Sequence, residues 1–241
     1  MGGALAIILA RSGSKGVPGK NSAGVGGRPC VAWTIDQALD SARVDRVVLS
    51  TDDDACARVA RGMGVGVIDR PGALAHDTAT IDDAARHAYT AAGSPAGPVV
   101  ILYANVPVRP ASLIDDAVDL LARTGCDSVQ SFARVGKHHP WWTARIDAQG
   151  RLSPWEGETL FHGCFRRQDL PEALVPDGGV MVVRPGALML GTGVPEGPHA
   201  FLGVDRRAVV TEEGAVIDID SGIDLLVADA ALRERMAHAD R

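Results

Sequence analysis

Seven consecutive apolar residues, Ala4 to Ala10, run directly into a loop holding Arg11, Lys15, Lys20 and three glycines. The apolar run is far shorter than the roughly 20 residues a bilayer-spanning helix needs. No basic leader precedes it, which makes a signal peptide a poor reading. A short apolar run that stops abruptly at a basic, glycine-rich turn is the pattern of a buried strand in a parallel sheet.

The rest of the chain repeats this alternation. Helix is predicted from Pro29, well placed as a first helical residue, to about Ser41. Strands are predicted over 46–50 and 65–69, with a helix between them that begins at Asp52, Asp53 and Asp54 and ends near Gly62. A helix in the 80s, a strand at Val99 to Tyr103, a helix from Pro110 to Thr124 stopped by Gly125, and a strand from Ser128 to Val135 follow. Strands alternating with helices predict a doubly wound α/β fold on a mostly parallel sheet. From 137 to 176 the pattern breaks into tryptophans (Trp141, Trp142, Trp155), prolines and scattered charge, which reads as an inserted arm within a single domain. The α/β pattern resumes at Gly178 to Val183, and Ala215 to Ile219 is the predicted last strand. Ile223, Leu226, Val227 and Ala230 form one apolar stripe on a closing helix.

Composition removes some functional classes. The hydrophobic fraction is 46%, ample for a core, and the net charge is −6 without a basic tract, which argues against a nucleic-acid partner. Four well-separated cysteines with no C-x-x-C pair fit reduced thiols in a cytoplasmic protein.

Two segments point to chemistry. Two of the chain's three lysines, Lys15 and Lys20, lie in the loop Arg11 to Asn21. Such a loop leaves a strand at the carboxyl edge of the sheet, where ligands bind, and its glycines let backbone amides approach a phosphate. Its spacing is neither that of a P-loop nor that of the dinucleotide fingerprint. A merely basic, flexible loop is the plain alternative. The second segment is Asp218-Ile-Asp220. Residues two apart on a strand share a side, and two such carboxylates suit Mg²⁺. Alone, the pair reads better as a helix cap at Asp220 or Ser221, completed by Asp224. Beside a cationic phosphate loop, the metal reading gains. Gly62, Gly64 and Gly66 fall between helix and strand and read as a turn. Asp52 to Asp54 read as a cap, with a lesser case for ligand contact.

Taken in order, several segments resemble the CMP-sialic acid synthetase family, that is, acylneuraminate cytidylyltransferases and relatives acting on Kdo-type acids. They are Leu9-Ala-Arg-Ser-Gly-Ser-Lys-Gly-Val-Pro-Gly-Lys-Asn21, Val48-Leu-Ser-Thr-Asp-Asp53, Arg70-Pro71, Asp77-Thr-Ala-Thr80, His138-His-Pro140, Arg167-Gln-Asp-Leu-Pro171 and Asp218-Ile-Asp220-Ser-Gly-Ile-Asp224. The resemblance implies a Rossmann-like nucleotidyltransferase fold, a homodimer made partly by the arm, and transfer of CMP from CTP to an acidic sugar with Mg²⁺. It implies that Arg11, Ser14, Lys15, Lys20, Asn21, Arg70 and Thr80 hold the nucleotide. Asp218 and Asp220 would hold the metal, with Arg11 and Lys15 acting beside them in catalysis. Tyr103, Asn105, Arg167 and Asp177 would meet the acceptor, Arg167 through its carboxylate. Two of these depart from the family pattern: Tyr103 stands for a glutamine and Asp177 for an asparagine, both on the acceptor side. Other readings are a nucleotidyltransferase using another base or a non-sugar acid such as a phosphonate, or a non-catalytic nucleotide-binding protein.

Replacing Lys15 by alanine is expected to lower turnover about 10²–10³-fold, the typical cost of losing a group that stabilises negative charge in the transition state. Circular dichroism of the variant should match the parent. Comparable turnover in the two chains would return the loop to the plain reading.

Overall fold

The computed structural model describes residues 2–13, 16–76 and 78–239, so Ser14, Lys15 and Asp77 lie outside the described residues. The predicted doubly wound α/β fold is present. Strand β1 (Ala4–Ala10) is buried along its whole length. It pairs in parallel with β2 (Val44–Thr51) on one side and β4 (Val99–Tyr103) on the other. The parallel strand β3 (Gly66–Asp69) extends the sheet beyond β2. On the far side β8 (Leu174–Val183) runs antiparallel to both β4 and β5 (Ser128–Arg134), and β9 (Arg206–Thr211) closes that edge parallel to β5. The seven-strand order is β9-β5-β8-β4-β1-β2-β3.

Alternate residues of β1 serve two cores, which is why no polar residue interrupts it. Ala4, Ala6, Ile8 and Ala10 join α1 (Cys30–Leu39), α2 (Asp54–Gly62) and α4 (Leu113–Thr124) through Val31, Ile35, Cys56, Ala60 and Leu121. Leu5, Ile7 and Leu9 face α3 (Ile81–Ala91) and the short α5 (Pro185–Leu188) through Ala84, Ala88 and Leu188. Helix α4 ends as expected at Gly125, whose φ of +70° is the left-handed stop that favours glycine.

The structure corrects the reading of the chain's last third. Ala215 to Ile219 forms no strand; only Ile217 makes an isolated bridge, to Val108. The neighbouring stretch offers no continuous ladder, because Pro107 lacks an amide hydrogen. The last strand is instead β9, an edge strand that opens with two arginines and is mostly exposed, so it lacks the apolar signature. The closing helix α6 (Gly222–Ala239) is also turned over. Ala228 and Leu232 are buried with Ile219, Val25 and Val108, and Leu225 packs against them. The expected stripe of Ile223, Leu226 and Val227 faces outward, because apolar residues occur on both sides of this helix.

The arm contains a hairpin, β6 (Ala144–Ile146) with β7 (Leu152–Pro154), and short 3-10 turns, and its last residues already belong to β8. Trp141 stacks on His162 at 4.7 Å between ring centroids, and Trp142 donates to the Cys164 carbonyl at 2.9 Å. Both tryptophans thus make contacts within their own arm.

Arg109 joins the layers beneath the carboxyl edge and is 2% exposed. Its guanidinium donates to the carbonyls of Gly179 (2.6 Å) and Tyr103 (3.0 Å), to Gln37 Oε1 (2.8 Å) and Thr34 Oγ1 (3.1 Å), and to the Val106 carbonyl. Burial lowers its pKa to about 9, against smaller opposing effects from Cys30, Asp218 and Asp177. Arg109→Met would take the donor from the Gly179 carbonyl and from Gln37 Oε1, at about 1–3 kcal/mol each where water cannot enter, while Thr34 Oγ1 still donates to the Tyr103 and Val106 carbonyls. The variant is expected to lose about 3 kcal/mol or more in urea unfolding. A loss under about 1 kcal/mol would show that the cation is dispensable to the fold.

Candidate active site

A cleft of about 320 Å³ opens at the carboxyl ends of β1 and β4, roofed by the loop before α3. It is lined by Arg11, Lys20, Asn21, Arg70, Thr80, Tyr103, Asn105 and Asp220, among others. Eight residues singled out in the sequence, separated by up to 209 positions, therefore meet in one cavity. A second cavity, of about 910 Å³, is larger but lies at the opposite end of β1, beside Gly3, Pro98 and Arg184, away from all of these groups.

The loop after β1 is pinned at both ends. The Asn21 amide donates to the Arg11 carbonyl at 3.0 Å, closing the loop on itself. Its other polar atom, Oδ1, is buried without a partner among the described residues, an acceptor in the cleft wall that can take a ligand's donor. Lys20 reaches the segment 217–220, donating to the Ile219 carbonyl at 2.8 Å and pairing with Asp220 Oδ1 at 2.6 Å. Gly16 sits so close to this segment that a β-carbon there would lie 2.1 Å from the Asp220 carbonyl oxygen. Only glycine lets the two walls approach that far.

Asn105 holds the acidic wall. Its amide donates to Asp218 Oδ1 and to the Ile219 carbonyl (3.2 Å), and its own carbonyl accepts the Ile219 amide at 2.9 Å. Asp218 is pushed up to about 6, mainly by burial and then by the adjacent charge of Asp220, with Lys20 and Arg109 opposing. Excess negative charge at this point is what a divalent cation would relieve. Among the described residues no three His, Cys, Asp or Glu side chains gather as a metal cage. The pair therefore fits a hard cation that takes its remaining ligands from phosphate oxygens and water.

On the opposite wall, burial lowers the pKa of Arg70, which is held by the Ser50 carbonyl at 2.8 Å and by Ser50 Oγ at 3.3 Å. Burial likewise raises that of Tyr103, a change that keeps the phenol neutral. Thr80 caps α3: its hydroxyl accepts the Asp83 amide at 3.2 Å and donates to the Asp83 carboxylate at 2.7 Å. It lines the cleft with its hydroxyl already engaged.

Two expected acceptor contacts are not brought to the cleft. Asp177 lies in an irregularity of β8, where pairing with β5 shifts between Pro176 and Met181. Its carboxylate accepts from Ser131 Oγ, Thr211 Oγ1 (2.6 Å) and the Gly179 amide (2.9 Å), so it ties three strands together. A bulge leaves polar groups unpaired, and this aspartate satisfies them. Arg167 lies on the arm, outside the cleft lining, and is ion-paired with Glu213 at 2.5 Å. Conversely, the structural duties of Asn105 and Arg109 were not legible in the sequence, because their backbone and side-chain partners are brought near only by folding.

The cytidylyltransferase family model matches residues 5–143, which include the loop, β1 to β5 and the start of the arm. The chain belongs to the cytidylyltransferase family. It is 31% identical over 180 residues to an N-acylneuraminate cytidylyltransferase of Streptococcus agalactiae, a match covering 74% of this chain and 42% of that protein. It is 34% identical over 155 residues to a CMP-N,N'-diacetyllegionaminic acid synthase of Legionella pneumophila, covering 61% and 65%. The chain thus spans less than half the length of its streptococcal relative. The cytidylyltransferase fold extends further than the family match. A CMP:2-keto-3-deoxy-manno-octonic acid synthetase solved with CTP superposes with a TM-score of 0.72 at 17% identity, covering 97% of this chain and 99% of that one.

Proposed function

We propose that this chain transfers CMP from CTP to an acidic 2-keto sugar of the sialic-like kind and releases pyrophosphate. The observation that carries the reading is the gathering of Arg11, Lys20, Arg70 and Asp220 in the lining of one cleft, in a chain of the cytidylyltransferase family. The cations suit a triphosphate, and Asp220, with Asp218 two residues before it, suits the metal that accompanies it. The names of the relatives support the acceptor class, since each acts on or makes the CMP ester of a sugar acid.

In this reading the acceptor's anomeric hydroxyl attacks the α-phosphorus of CTP in line with the leaving pyrophosphate. Arg11 and Lys20 stabilise negative charge on the phosphates, and Lys15 does so from the same loop. Mg²⁺, when bound by Asp218 and Asp220, would neutralise phosphate charge and favour ionisation of the attacking hydroxyl. Asn105 orients Asp218 for that task. Tyr103 bounds the acceptor end of the cleft and offers a single hydroxyl where the resembling family has an amide with both donor and acceptor. A contact of Asp177 with the acceptor would require it to leave Ser131 and Thr211. A grip by Arg167 on the acceptor's carboxylate would require it to leave Glu213.

A homodimer belongs to the same reading. The arm carries exposed Ile146, Leu152, Trp155 and Phe165, the last 85% exposed. So much apolar surface on one arm is characteristic of an interface. The free, mostly buried cysteines support a cytoplasmic site of action.

Pyrophosphate release should be fastest with CTP, by about tenfold or more over other nucleoside triphosphates, a difference of about 1.4 kcal/mol in transition-state binding. It should require Mg²⁺ and one of N-acetylneuraminate, legionaminate, pseudaminate or 2-keto-3-deoxy-manno-octonate. Turnover with another triphosphate, or only with a phosphonate, would move the chain to a different member of the scaffold. Binding of CTP without turnover of any acid would make it a non-catalytic binder.

Light scattering at micromolar concentration should give the mass of two chains. Phe165→Ser combined with Ile146→Ser should shift it toward one. A monomeric parent would sink the dimer.

A further inference from the structure

Adjacent carboxylates at the end of β2 have separate tasks. Asp53 caps α2, its Oδ1 accepting the amides of Ala55 at 2.8 Å and Cys56 at 3.3 Å. Asp52 turns across the sheet edge instead. Its Oδ1 accepts the Ser12 amide at 2.8 Å and its Oδ2 the Ser12 hydroxyl at 2.5 Å. Ser12 is where the cationic loop leaves β1, so this grip ties the exit of β1 to the exit of the neighbouring strand. The other end of the loop is fixed separately, by Lys20 on Asp220 and by Asn21 on the Arg11 carbonyl. Asp52 also supplies negative charge between the cleft arginines: it favours the charged form of Arg70, which burial and Arg11 oppose. Yet Asp52 does not line the cleft.

We propose that Asp52 is the positioning residue of the phosphate loop: by holding Ser12 with two hydrogen bonds it sets the direction in which the loop leaves β1, and through it the affinity for nucleotide. This rests on the reading of the cleft as a nucleotide site. A carboxylate that receives two bonds from one residue fixes both its position and its orientation, which a single bond does not. The loop's amides and cations act on a ligand only while aimed at it, so looseness at the exit is felt as lost affinity.

The test compares Asp52→Ala, Asp52→Asn, Ser12→Ala, Asp53→Ala and the double variant Asp52→Ala/Ser12→Ala in the full chain. CTP binding is read by calorimetry with Mg²⁺, the thermal midpoint by scanning, and the nucleotide-free loop by the rate of tryptic cleavage after Lys15 and Lys20. Asp52→Ala should weaken CTP about tenfold, the effect of roughly one charge-assisted hydrogen bond. It should also speed cleavage in the loop. Adding Ser12→Ala should cost nothing more, because the contact is already gone. Asp52→Asn keeps an acceptor for the amide and a donor for the hydroxyl, and should stay within about threefold of the parent. Asp53→Ala should lower the thermal midpoint and leave CTP affinity unchanged. The proposal is overturned if Asp52→Ala behaves like Asp53→Ala, if the double variant is additive, or if Asp52→Asn is as weak as Asp52→Ala, which would make the charge and not the hold decisive. A parent that binds no CTP would refute the nucleotide reading alone, and the cleavage rates would still decide whether Asp52 holds the loop. If Asp52→Ala fails to fold, Ser12→Ala and Asp52→Asn carry the same comparison.

Discussion

The cleft depends on a segment that belongs to no sheet. Residues 217–220 run beside the turn after β4, with the Ile217 amide on the Val108 carbonyl and the Ile219 amide on the Asn105 carbonyl. Ile219 is fully buried with Val25, Val108, Ala228 and Leu232, so an apolar anchor fixes the stretch from below. Asn105 and Lys20 hold it from the sides, and Gly16 lets the cationic loop close upon it. The positions of both carboxylates follow from that anchoring. A regular strand would have held the same two residues by ladder bonds. Here two backbone bonds are supplemented by side chains of the very walls that form the site.

Charge is arranged around this latch in two tiers. Above, in reach of a ligand, Lys20 pairs with Asp220. Below, Arg109 is buried among carbonyls with no carboxylate in hydrogen-bond contact. Its positive charge bears on Asp218 from the protein side, yet burial still keeps that carboxyl raised.

Several residues singled out in the sequence also hold the fold together. Asp177 closes the irregularity in β8, and Thr80 completes a helix cap with Asp83. Trp141 and Trp142 fold the arm onto itself through His162 and the Cys164 carbonyl. In each case a group that would otherwise be buried or unpaired finds its partner a short distance away, and local satisfaction competes with any external ligand. Asp52 is the opposite case. It reads as one of three capping aspartates, but its partner lies 40 residues earlier in the chain.

The sequence by itself determined the parallel α/β architecture, the first strand to the residue, and the cationic loop at its exit, because these depend on short-range patterns of apolar and glycine residues. It also carried most of the cleft: Arg11, Lys20, Asn21 and Asp220 lie in segments singled out by their own residues, and Arg70 in a segment singled out by resemblance to the family. Only the tertiary structure decided that β9, and not residues 215–219, closes the sheet. Edge strands need little apolar surface, whereas the more strand-like stretch had no uninterrupted partner. It alone decided which face of α6 is buried, since both faces carry apolar residues and Ile219 lies against just one. And it alone assigned Asn105, Arg109, Asp177 and Asp52 to their partners. Those contacts join residues up to 114 positions apart, and no periodicity along the chain encodes a distance that exists only after folding.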